Sequence, residues 1–343
     1  MNSSEMLEKL KEINVDIRAK ELKPFYFFYG NEDYFITSLK NSIIKAFEDS
    51  TKLNVKSYNK DNFNVRDVIK YVLNEPFMND KKLIIFDNLD YFKVSKKDRE
   101  KEINELLDAF NKTKDINIVL FYKTEFDDKY AKAYKDNIIA DFFKENGVLL
   151  ELKKLDEDTL WKYVQNRFKK RNVEIDRVNI AYFIRICGND LLNLFNEADK
   201  LVAYLGDRAK VEKSDIDAIV TRSLDDKIYT LIDLYNTNRI EESLKYYGDL
   251  ITEGEKNEVI FASFSYNYTN LIICKDYMDR GKGLKEISEM MNMENWRVKK
   301  LMDANKFVSM DTLKSKVNRI TKLSIDRMKS DVDKDLMVLL LMN

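Results

Sequence analysis

Histidine is absent from this sequence, and cysteine, proline and glycine are scarce at two, two and eight residues in 343. Without histidine the chain lacks the commonest general base near neutral pH and the commonest zinc ligand. Cys187 and Cys274 are isolated and make no CxxC site, so two buried, reduced thiols are expected. So few prolines and glycines, unclustered, leave no flexible linker. No stretch reaches the ~18 apolar residues of a membrane span, and MNSSEMLEKLKEINVD at the N-terminus lacks the apolar run of a secretory signal. A soluble, cytoplasmic protein is expected. Neither sign of charge is in excess: 59 Lys+Arg against 60 Asp+Glu give a formal net charge of -1, so only local patches bear on nucleic-acid binding.

Apolar residues make up 44% of the chain, with 20 Phe and 19 Tyr, enough for real cores. The length exceeds what one core usually supports, so two or three domains are expected. FYFFY (Phe25 to Tyr29), NVKSY (Asn54 to Tyr58), KLIIFD (Lys82 to Asp87), INIVLFY (Ile116 to Tyr122) and GVLLEL (Gly147 to Leu152) are strand candidates. Apolar runs without alternation suit a parallel sheet covered on both faces. Helical spacings lie between them, such as Val65, Val68, Ile69, Val72 and Leu73, with Asn64 and Asp67 as a weak capping signal. The first 152 residues therefore predict an α/β domain.

After Leu152 the strand-like runs stop. A helix with Leu160, Val164 and Phe168 on one stripe is expected, then two helices broken near Gly188, then a short segment from Asp215 to Val220. These define a small helical domain over residues 153–222. Residues 223–343 read as all helix, with breaks at Gly248, Gly254, Gly281 and Gly283. The apolar end, Leu336 to Met342, suits burial in its own bundle or in a subunit contact.

The glycine that follows the first strand invites a phosphate-loop reading. Such a loop needs cupped backbone donors, a lysine and a hydroxyl, as in GxxxxGK[ST]. Here Gly30 is followed by Asn31, Glu32 and Asp33, and two carboxylates at a helix N-terminus repel a triphosphate. Asp87, at the end of the LIIF strand, then has no magnesium to organise. The acid pairs Glu32/Asp33, Asp127/Asp128 and Asp225/Asp226 show no cleft holding them at a catalytic separation. No catalytic residue, cofactor or metal ligand is assigned.

Two basic segments stand out. WKYVQNRFKKRN carries Lys162, Arg167, Lys169, Lys170 and Arg171 with no acid. Between Gly281 and Ser330 Lys and Arg outnumber Asp and Glu twofold, with Arg297, Lys299 and Lys300 beside Trp296. Both suit either a phosphate backbone followed without base readout or an ordinary solvated face.

LNEPFMNDKK, Leu73 to Lys82, places two large apolar residues directly after a proline. Pro76 disfavours helical geometry at Glu75, so the preceding helix ends around Leu73 or Asn74. Phe77 and Met78 then lie on a bend between helix and strand, filling either the protein's own core or a partner's pocket.

Four stretches carry a resemblance that spans nearly the whole chain. They are FYFFYGNEDYFI, EPFMNDKKLIIFDNLD, GNDLLNLFNEADKLVAYLG (with Gly188, Asp190, Asn196, Glu197, Lys200 and Leu201) and ENWRVKKLMDANKFVSMDTLKSKVNRITKLSIDRMKS. In this order they resemble the delta subunit family of the bacterial DNA polymerase III clamp loader. The resemblance implies an AAA+/RecA-like α/β domain with a degenerate phosphate loop, a lid-like helical domain and a helical collar for oligomerisation. It implies a subunit of a DNA-directed DNA polymerase holoenzyme that is not itself catalytic, binds the sliding clamp and opens its ring for loading onto primed DNA. Its implied partners are the beta clamp, the tau/gamma ATPase subunits, the delta-prime subunit and, weakly within the complex, primed DNA at replication forks in the nucleoid; no membrane is implied. The family's clamp-binding pair falls on Pro76 and Phe77, with Met78 adjacent and Leu73 at the end of the helix. Some members have leucine before the phenylalanine, where proline fills a pocket less deeply; Met78 can compensate through its adaptable thioether. The alternative from another class is a non-catalytic AAA+-like DNA-binding scaffold whose basic collar is the working surface.

Overall fold

The structure is a computed structural model describing residues 3–47, 49, 53–90, 97–124, 126, 134–135, 137–293, 295–306 and 308–329. The chain divides into two compact units, Met1–Leu160 and Trp161–Asn343.

The first unit is built on a five-stranded sheet: β1 (Phe25–Gly30), β2 (Val55–Tyr58), β3 (Lys82–Asp87), β4 (Asn117–Lys123) and β5 (Val148–Leu152). All four pairings are parallel, in the order β2-β3-β4-β1-β5. All five expected strands are present, with ends within a residue of those read from sequence. Every residue of β1 and β4 is buried, which is why neither alternates. Helices α1 (Ser3–Arg18) and α2 (Asp33–Ala46) cover one face. Helices α3 (Val65–Leu73), α4 (Lys97–Lys112) and α5 (Ile138–Asn146) cover the other. The core under these three helices is strongly aromatic: Phe25, Phe27, Phe86, Phe110, Phe121 and Phe143 are all buried, and Phe86 stacks on Phe121 at 4.1 Å. Offset and edge-on ring pairs of this kind add about 0.5–1.5 kcal/mol each beyond area burial. Helix α1 had no counterpart among the expected elements; Met6, Ile13 and Ile17 bury its one apolar face.

The described residues after β5 are mainly helical. They run through α6 (Glu157–Lys169), α7 (Arg177–Cys187), α8 (Leu191–Leu205), α9 (Lys213–Ile219), α10 (Leu224–Asn236), α11 (Ile240–Thr252), α12 (Asn257–Asp279), α13 (Leu284–Met291), α14 (Asn295–Asn305) and α15 (Met310–Lys329). Leu160, Val164 and Phe168 are buried along α6, as their spacing predicts. Gly188, at φ +82°, ends α7 in a backbone conformation that a side chain disfavours. Helix α12 is central, packing on α10, α13, α14 and α15 around Phe264, Tyr268, Leu271, Leu301 and Leu313.

One expected break is absent. Gly248 lies inside α11, because the buried face formed by Ser243, Tyr247 and Leu250 continues past it and holds the helix together. Two breaks were not expected from glycine content: Asn238 and Asn292 take left-handed φ of +57° and +49°. Asparagine is the non-glycine residue best suited to that region. Both cysteines are free and buried. The apolar end, Leu336 to Met342, lies outside the described residues. Among the described residues no helix is long and apolar enough to cross a membrane.

Candidate partner-binding tip

Helix α3 starts where Asn64 accepts hydrogen bonds from the amides of Arg66 (3.0 Å) and Asp67 (3.2 Å). Val65, Val68 and Val72 anchor it in the core. It stops at Leu73; Asn74 is already extended at ψ 150°, and Pro76 disfavours helical geometry at Glu75, which follows. From this point the apolar side chains turn outward. Leu73 is 50% exposed, Phe77 55% and Met78 81%, while Pro76 is half-buried. Met78 sits at φ +50°, left-handed backbone that is uncommon for a residue with a side chain and that reverses the chain at the tip.

The backbone beneath these exposed side chains is held by buried polar groups that sequence reasoning did not single out. The Asn54 side chain is 1% exposed and pairs with both polar groups of Phe77: the Phe77 amide donates to Oδ1 at 2.7 Å, and Nδ2 donates to the Phe77 carbonyl at 2.9 Å. Asp49 accepts from the Asn54 backbone amide (2.8 Å) and from Nδ2 (3.1 Å). Lys82, 2% exposed at the start of β3, directs its ammonium into the end of α3. It donates to the carbonyls of Tyr71 (2.6 Å), Val72 (3.1 Å) and Asn74, and lies 4.8 Å from the centre of the Tyr71 ring. Asn117 adds a second donor to Val72 at 3.0 Å. Burial pushes the Lys82 ammonium below its usual range, opposed by the nearby charge of Glu75. Read from sequence, Lys82 was only the first residue of a strand. The signal that was available is a charged residue opening an otherwise apolar buried run.

At the end of β1 the geometry is closed. Gly30, at φ +137°, lies so close to β5 that a Cβ there would stand 2.0 Å from the Leu152 carbonyl oxygen. The Glu32 amide donates to that same carbonyl at 3.1 Å. Glu32 is fully buried at the N-terminus of α2, with the Lys154 ammonium 3.7 Å from its carboxylate. A carboxylate thus occupies the helix end where a phosphate loop would present its donors.

The basic candidates divide into two groups. Lys162, Lys169, Lys170 and Lys299 are exposed and make no ion pair among the described residues. The other four are committed to carboxylates within their own unit. Arg167 donates to Asp199 through Nε (3.0 Å) and Nη2 and stacks over Phe195, and Arg171 reaches the same carboxylate at 3.8 Å. Arg297 pairs with Asp225 and Lys300 with Asp226; both cations also lie over Trp296. The basic segments therefore present less free positive charge than their composition suggests.

Comparison with known proteins gives a consistent result. Residues 26–153 match the family model "DNA polymerase III, delta subunit", and residues 225–343 match "DNA polymerase III delta subunit, C-terminal domain". DNA polymerase III subunit delta of Bacillus subtilis is 22% identical over 330 residues, covering 94% of this chain and 92% of that protein. The probable delta subunit of Aquifex aeolicus is 20% identical over 251 residues, 71% of this chain and 70% of that one. Among solved structures, the Bacillus subtilis DNA clamp loader delta protein superposes with a TM-score of 0.61 at 21% identity, covering 97% of this chain and 100% of that one. With its α/β and helical parts each matched by a model of the same family, the chain belongs to the DNA polymerase III delta subunit family.

Proposed function

We propose that this chain is the clamp-binding subunit of a clamp loader, engaging the sliding clamp through Leu73, Pro76, Phe77 and Met78 and helping to hold its ring open for loading onto primed DNA. The observation that carries the reading is the tip itself: large apolar side chains face solvent on a backbone that buried polar groups hold in place. Flexible loops seldom spend buried hydrogen bonds on presenting phenylalanine to water. A phenylalanine and a methionine in this position have the anchor chemistry of an interface hot spot. The buried Glu32 carboxylate supports a chain that is not itself an ATPase, with ATP turnover supplied by tau/gamma partners beside a delta-prime subunit. Residues 153–222 then serve as a lid-like domain and 223–343 as the collar. Contact with primed DNA is assigned to Lys162, Lys169, Lys170 and Lys299, with Arg167, Arg171, Arg297 and Lys300 acting first within the protein.

Replacing Phe77 and Met78 by alanine tests the reading. Two anchors at about 2 kcal/mol each predict a loss of clamp affinity of roughly a thousandfold, with circular dichroism unchanged. Unchanged affinity would sink the assignment. Strong, steeply salt-dependent binding of the isolated chain to primed duplex would favour a DNA-binding scaffold instead.

A further inference from the structure

We propose that Asn54 is a positioning residue for the tip: it sets the conformation in which Phe77 meets its partner without touching that partner. The inference rests on the clamp-binding reading and adds to it a residue 23 positions upstream of Phe77.

At 1% exposure Asn54 has no surface to offer a partner. Both ends of its amide are spent on one residue of the tip, donor to the Phe77 carbonyl and acceptor from the Phe77 amide, as a neighbouring strand would do. Asparagine suits the task because its side chain carries a donor and an acceptor together. Aspartate lacks the donor, and glutamine is longer by one methylene. Asn54 is itself fixed: Asp49 orients its amide, and its backbone carbonyl accepts from Leu83 in β3 at 2.8 Å. The tip is therefore constrained at three consecutive residues, by the ring of Pro76, by Asn54 at Phe77 and by the left-handed turn at Met78. An anchor whose backbone is ordered before binding loses less freedom on association, which favours affinity without adding a contact.

The test uses the full-length chain, purified cognate sliding clamp and hydrogen exchange resolved by residue, comparing wild type, Asn54→Ala and Phe77→Ala. In Asn54→Ala the Phe77 amide should exchange at least about tenfold faster while Ile84 and Val119 in the central strands keep their protection. Clamp affinity should fall about tenfold although every exposed tip side chain is intact. Faster exchange at Phe77 with wild-type clamp affinity would overturn the proposal, as would unchanged exchange at Phe77. If Asn54→Ala also strips protection from the central strands, Asn54→Ser takes its place, since its shorter hydroxyl stays polar beside Asp49 and adds no charge but cannot bridge both polar groups of Phe77. Intermediate affinity then supports positioning, and wild-type affinity overturns it. If Phe77→Ala itself binds the clamp normally, the clamp reading fails, which is distinguishable because the Phe77 amide in Asn54→Ala still reports whether Asn54 holds the tip.

Discussion

The end of α3 and the end of α10 face the same problem, and each receives a lysine from a distant element. Lys82 reaches the carbonyls of Tyr71, Val72 and Asn74; Lys316, on α15, reaches the Tyr235 carbonyl (3.1 Å) and Asn236 Oδ1 (3.2 Å). Each ammonium also lies over a tyrosine, Lys82 over Tyr71 and Lys316 over Tyr235 at 4.0 Å. The difference is in what the backbone already does. Helix α10 closes itself: the amides of Asn238 and Arg239 donate to Tyr235 (3.3 Å) and Leu234 (3.0 Å), made possible by left-handed Asn238. Helix α3 does not close in this way: the chain extends at Asn74, and Pro76 disfavours helical geometry at Glu75 and brings no amide hydrogen of its own. Only the Asn74 amide turns back, to Tyr71 at 3.3 Å. Its carbonyls depend on side chains that arrive from β3 and β4. The same device is therefore an addition at α10 and a necessity at α3, where it frees the following residues to face outward.

This contrast is sharpest in a pair of equivalent substitutions. Lys82→Met keeps the stem and removes the donors, leaving buried carbonyls without their charged partner, and should cost about 2–3 kcal/mol in urea unfolding. Lys316→Met removes a donor from a carbonyl that the backbone also serves, and should cost about 1 kcal/mol or less. Equal losses would show that the backbone closure at α10 is not what distinguishes the two ends.

The tip offers the next largest effect. Met78→Ala keeps the left-handed strain, whereas Met78→Gly relieves it. Glycine should be the more stable of the two variants by about 1 kcal/mol, since that is the penalty of a Cβ in this region. Both variants should lose clamp affinity alike, because both lose the thioether. A stable glycine variant that binds normally would leave Phe77 as the working anchor and reduce Met78 to a turn residue.

The two buried lysines share a response to pH, which Lys316 allows to be measured. Burial lowers the Lys316 ammonium from 10.5 to about 8, so the folded chain releases this proton before the unfolded chain does. Between those values the unfolded state binds more protons, and the stability this residue contributes rises with pH. Measured against Lys316→Met, the wild-type urea midpoint should therefore gain ground from pH 8 towards pH 10.5. A difference that stays flat would show Lys316 in contact with bulk water. Lys82 shifts in the same direction, through burial opposed by Glu75.

Much of this organisation was legible in the sequence, because it was written in local patterns. Five apolar runs became five parallel strands, and Pro76 marked the end of α3 to within a residue. What was not legible depends on residues far apart in the chain. Asn54 grips a peptide 23 residues away, Arg167 is paired by Asp199 32 residues away, and Lys300 by Asp226 74 residues away. A count of charges in a window has no access to such pairings, so the basic segments looked freer than they are. Composition also misled at one position, since glycine marks a helix break only where the backbone needs it.

Gly248 is where that last point can be measured. It is exposed within α11, and a Cβ built there meets nothing within 4 Å. Its backbone is helical, so no left-handed turn requires glycine, and alanine should raise stability by about 0.5–1 kcal/mol through the lower entropy of its unfolded chain. A gain of that size in thermal unfolding would mark Gly248 as a tolerated weakness in a solvent-facing surface. A loss would mean that another segment or another subunit packs against the bare backbone there. Gly248→Ala in the isolated chain and in the assembled loader separates those two: an effect confined to the assembly places a partner on α11, and an effect in both places the contact within this chain.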